Sequence, residues 1–64
     1  MKMREERLKL GLSQTKLCML TGIAQSDLSA IENGRKVPHA GWRVRIARAL
    51  KVDSRILFDE EKAG

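Results

Sequence analysis

Apolar residues in this chain recur at helical spacing, in short blocks separated by glycine, and never alternate with polar ones over the length of a strand. The first block, roughly Lys2 to Leu10, is rich in helix-favouring charged residues and stops at Gly11, a residue suited to a helix C-terminus. Ser13 offers an N-cap for a second helix that runs through Leu17 and ends near Thr21 and Gly22. A third runs from about Gln25 to Asn33 and ends at Gly34. Its N-cap position is Ala24, which has no side-chain acceptor; Asp27 partly compensates by placing negative charge in the first turn. A fourth helix spans about Ala40 to Leu50, beyond the single proline, Pro38. Asp53 or Ser54 caps a short fifth one carrying Ile56, Leu57 and Phe58. The pattern predicts an all-α domain of five short helices.

The connection between the second and third helices is the informative one. Gly22-Ile23-Ala24 is too short for a relaxed antiparallel loop, and a tight glycine-containing turn between two short helices is the mark of a helix-turn-helix. At 100° per residue, Ala24, Leu28 and Ile31 share one face of the third helix. Ser26, Ser29, Ala30 and Asn33 fall on the opposite face, with Gln25 at its edge. An ordinary solvated helix face carries Lys and Glu, whereas this one is small and polar. Such a surface suits reading of base edges: Gln pairs bidentately with adenine, Ser suits several bases, and Ala packs on a thymine methyl.

Length and charge narrow the picture. The 64 residues allow one domain, expected over 1–64 with its core in 4–58 and a short acidic tail in 59–64. A chain this short buries only about 60% of its unfolded surface, so the core is small. No apolar stretch is long enough for a membrane span, and Met1-Lys2-Met3-Arg4-Glu5-Glu6 lacks the apolar core of a signal peptide. One cysteine and one histidine give neither an internal disulfide nor a structural zinc site, so no metal is expected and a cytoplasmic location is. Of 13 Lys and Arg, seven lie between Arg35 and Arg55 against a single acid, a local excess of +6 within a net charge of +5. A polyanionic partner and a merely solvated basic face both fit that excess.

Several of these pieces also carry a family resemblance. Gly11-Leu12-Ser13-Gln14, Leu17-Cys18, Gly22-Ile23, Leu28-Ser29-Ala30-Ile31-Glu32-Asn33-Gly34, Pro38 and Ile46-Ala47-Arg48-Ala49-Leu50-Lys51-Val52 occur in a characteristic order and spacing. From about Arg7 to Phe58 the chain resembles the phage-repressor/Cro type of helix-turn-helix domain, the xenobiotic-response-element class of prokaryotic or phage regulators. The resemblance implies a compact five-helix, lambda-repressor-like domain that binds duplex DNA in the major groove. It also implies a homodimer on a palindromic operator. Carried over by position, Gln25, Ser26, Ser29 and Ala30 are the base-reading residues. Gln14, at the start of the second helix, and Asn33, Arg35, Lys36 and His39, on the third-helix exit, are the phosphate contacts. Arg7 and Glu32 match a structural pair tying the first helix to the end of the third, expected to be at least partly buried. The chain departs from the family at Cys18, usually alanine, and at Ala24, usually Ser or Thr.

Other side chains have plainer readings. Cys18 is expected to pack in the interior, Trp42 to close the core edge through its spacing to Ile46 and Leu50, and at most two of Arg43, Arg45 and Arg48 to face DNA. Met19 and Leu20 fit either partial core or a patch facing a protein partner. Glu5 and Glu6 are adjacent and lack a pocket, and Gly34-Arg35-Lys36 lacks the pattern of a phosphate-cradling loop. No enzymatic constellation emerges, and no cofactor, small-molecule ligand or membrane contact is expected. The leading expectation is a sequence-specific DNA-binding regulator, a repressor dimerising through the fifth helix with Ile56 and Phe58 exposed. It would be nucleoid-associated when bound, with Asp59-Glu60-Glu61 lying away from phosphate. The alternative is a protein-binding module, such as an antitoxin that also autoregulates its promoter.

Overall fold

Five helices succeed one another in the computed structural model of the chain, which describes residues 2–58: α1 (Lys2–Lys9), α2 (Gln14–Thr21), α3 (Gln25–Glu32), α4 (Ala40–Leu50) and α5 (Ser54–Leu57). There is no strand among the described residues. Local chemistry sets most of the boundaries. Ser13 is extended, and its hydroxyl accepts the Lys16 backbone N–H at 3.0 Å, satisfying one of the orphan donors at the start of α2. Ala24 occupies the cap position of α3 with no side-chain bond. It is exposed rather than turned inward with Leu28 and Ile31, because it stands before the helix proper, where helical phase no longer applies. At α5 the Asp53 carboxylate accepts the Arg55 backbone N–H at 2.8 Å. That bond, then the Arg55 side chain, hold the carboxyl below its ordinary value of 3.8.

The α2–α3 turn needs two devices. Gly22 has φ +72°, a left-handed conformation that costs glycine nothing, and its N–H returns to the Cys18 carbonyl at 2.8 Å. Beside it, Thr21 is buried. Its hydroxyl donates to the Leu17 carbonyl at 2.8 Å and accepts the Ile23 N–H at 3.2 Å, so the buried turn leaves these groups satisfied.

Every helix contributes to one core. Met3, Leu17, Leu28, Ile31, Ile46, Leu50 and Leu57 are buried from the five helices, with Ile23 from the turn and Ala47 from α4. Each large aliphatic side chain so buried contributes about 1.5–3 kcal/mol. Leu12, Cys18, Trp42, Ala49, Val52 and Phe58 close its margins, half-buried. α2 packs against both α3 and α4, and α5 folds back on α4. Phe58 thereby rests on the core, leaving Ile56, 53% exposed, as the outward apolar residue of α5. Met19 and Leu20 are also outside, at 72% and 53%, because α2 turns Leu17 and Thr21 inward. The acidic Asp59-Glu60-Glu61 lies outside the described residues. No helix among the described residues is long and apolar enough to cross a membrane.

Candidate nucleic-acid interface

α3 is held at its C-terminal end by a buried ionic anchor. Arg7 Nε donates to Glu32 Oε2 at 2.8 Å and Arg7 Nη2 to Glu32 Oε1 at 3.2 Å, a two-pronged contact across 25 residues of sequence. Arg7 Nη1 donates to the Leu12 carbonyl at 2.7 Å, and Gln14 Nε2 donates to Glu32 Oε1 at 3.2 Å. Arg7 and Glu32 are each 8% exposed. Charges this deep are tolerable only when paired and hydrogen-bonded, and here both are. The network joins α1, the start of α2 and the end of α3, fixing the attitude of α3 to the rest of the molecule.

With Leu28, Ile31 and Glu32 turned inward, α3 presents Gln25, Ser26 and Asn33 to solvent. Ser29 and Ala30 sit at the margin of that face, half-buried. The Gln25 amide oxygen accepts from the Thr15 hydroxyl at 3.5 Å, and Asn33 Nδ2 donates to Ser29 Oγ at the same distance. Both contacts are long and exposed, so they orient these side chains without consuming their capacity for other partners. An eight-residue helix is about 12 Å long. Over that length, α3 offers amide and hydroxyl groups that donate and accept, the chemistry required to read base edges.

Gln14 contacts the end of α3, and Arg35, Lys36 and His39 lie on the loop between α3 and α4, though three of the four already have partners. Gln14 is half-buried, with its amide nitrogen on Glu32. Lys36 Nζ stands 2.8 Å from Asp27 Oδ1, on the first turn of α3, and 5.2 Å from the centroid of the Trp42 ring. His39 caps α4, its Nδ1 accepting the Trp42 N–H at 3.3 Å, and its ring lies 4.9 Å from the indole. Arg35 is exposed, its backbone N–H on the Ala30 carbonyl at 2.8 Å. The 34–39 loop is therefore braced at both ends, by Asp27 on α3 and by Trp42 on α4. Asp27 and Thr15 are the residues sequence reasoning missed at this site. Their partners, Lys36 and Gln25, lie nine and ten residues away across turns, where periodicity carries no signal.

No group of three or more His, Cys, Asp or Glu able to hold a metal occurs among the described residues. The helix-turn-helix domain family matches residues 1–60. An uncharacterised HTH-type transcriptional regulator of Methanothermobacter thermautotrophicus is 36% identical over 63 residues, which cover 94% of this chain and 91% of that protein. No solved structure matches the chain significantly.

Proposed function

Because this chain belongs to the helix-turn-helix domain family, we propose that it is a DNA-binding transcription regulator acting by occupying a duplex operator, not by catalysis. The observation that carries this reading is the exposed polar face of α3, Gln25, Ser26 and Asn33 with Ser29 and Ala30 at its margin, on a helix anchored by the buried Arg7–Glu32 pair. In this reading Gln25, Ser26, Ser29 and Ala30 read bases. Gln14, Asn33, Arg35, Lys36 and His39 approach phosphates on either side. Lys36 exchanges Asp27 for a phosphate on binding; the exposed pair is worth little, so the exchange is cheap.

Two copies complete the site. The described residues extend about 32 Å at most and carry one recognition helix. Successive major-groove faces of a duplex are about 34 Å apart, so reading two half-sites takes a homodimer on an inverted repeat. Ile56 supplies an exposed apolar residue for such an interface, and Phe58 is half-buried against the core. Occlusion of a promoter by this dimer makes it a repressor.

Selection from random duplex DNA by the purified protein at physiological salt tests the proposal. It predicts an enriched inverted repeat with half-sites about one helical turn apart. Binding without enrichment of any sequence would overturn it.

A further inference from the structure

The basic excess between Arg35 and Arg55 does not fold into one surface. Arg35 and Lys36 lie on the loop after α3, whereas Arg45 and Arg48 line a shallow groove of about 390 Å³ with Leu20, Thr21 and Ala49. Arg48 and Lys51 line a second hollow beside it, with Val44 and Val52 on its walls. Arg45, Arg48 and Lys51 make no ion pair among the described residues. Asp53, which also lines the second hollow, is taken by Arg55 at 3.5 Å. Among these cations Leu20 and Val44 are 53% and 46% exposed, and Met19 beside Leu20 is 72% exposed.

Three possible occupants can be weighed by charge and shape. Duplex DNA would satisfy the cations but gains nothing from Leu20, Met19 or Val44. Leu20 also lies six residues, about 9 Å, along α2 from Gln14, the residue of that helix read as a phosphate contact. A second copy of this chain, docked about a two-fold axis, would set this cationic patch against the same patch with no carboxylate between them, a repulsive arrangement. A partner carrying both carboxylates and aliphatic side chains satisfies both components of the surface.

We propose that the α2–α4 face docks an acidic amphipathic helix of a partner protein. Its leucine-type side chains enter the groove beside Leu20 and the adjoining hollow beside Val44, and its carboxylates pair with Arg45, Arg48 and Lys51. This goes beyond the operator-binding reading and does not depend on it.

The test uses the full chain and a labelled synthetic helix of about 20 residues, above the length at which isolated helices are marginal in water, with leucines at i, i+3, i+4 and i+7 flanked by glutamates. Fluorescence anisotropy should show saturable binding. R45Q/R48Q and L20S, all at exposed positions, should each weaken binding about tenfold, the effect of losing 1.4 kcal/mol. Their circular dichroism melts should match the parent, and the salt slope of their duplex DNA binding should be unchanged. Equal binding of a probe with every leucine replaced by serine would reduce the interaction to general polyanion attraction and overturn the proposal. Equal binding of a glutamine-for-glutamate probe would overturn it too, as would unaltered binding by R45Q/R48Q. If sedimentation shows instead that L20S abolishes a homodimer, the face belongs to a second copy and the proposal fails.

Discussion

Glu32 is the residue on which α1, α2 and α3 converge. Its carboxylate accepts from Arg7 twice and from Gln14 once, and its side chain is nearly inaccessible. Removing one partner of such a pair strands the other charge in the interior, which costs about 3–5 kcal/mol. Stabilities of folded domains are only about 5–15 kcal/mol, so Glu32→Ala should lower the urea midpoint sharply or abolish folding. Replacing both partners, as Arg7→Met with Glu32→Leu, should return most of that stability, because no charge remains to be desolvated. The double variant should still bind its operator more weakly, since α3 loses its fixed attitude. A wild-type midpoint for Glu32→Ala would show that the pair has no structural role.

Of α2 to α5, α3 is the helix whose N-cap makes no side-chain bond. Ala24 has the backbone of an N-cap, φ −58° and ψ 144°, without a side chain able to accept the N–H groups at Ser26 or Asp27. Ala24→Ser should add about 1 kcal/mol, read as a higher urea midpoint at constant m-value. An unchanged midpoint would mean that water already satisfies those donors fully. The helix boundaries were legible in the sequence because the signals are local: Ser13, Gly22, Gly34 and Asp53 act within a few residues of where they stand. α1 and α3 each end one residue before the expected Leu10 and Asn33, since Leu10 falls in the turn and Asn33 serves as the C-cap. His39 escaped as the cap of α4 because imidazole is an uncommon acceptor there, and Ser, Thr, Asp and Asn are the signals one seeks. The fate of Met19 and Leu20 was not legible at all. An eight-residue helix with apolar residues at 17, 19 and 20 fits several rotations, and packing against α3 and α4 chooses the one that buries Leu17 and Thr21.

Across the whole molecule, one scaffold holds two surfaces of different chemistry. The α3 face carries amide and hydroxyl groups, with Arg35 and Lys36 on the loop that follows; the α2–α4 face carries cations among exposed aliphatics. Total charge, the quantity most visible in the sequence, could not divide these surfaces, because opposite sides of α4 send Arg43 toward the loop and Arg45 and Arg48 toward α2. The central claim is that α3 reads base identity. It is tested most directly by measuring the affinity of the parent and of Gln25→Ala for the selected operator and each single base-pair variant of it. Loss of about 1–3 kcal/mol of discrimination at one base pair of each half-site, with the remaining preferences intact, is the predicted result. An equal loss of affinity on every sequence would contradict it, placing Gln25 among the groups that only hold the protein to DNA.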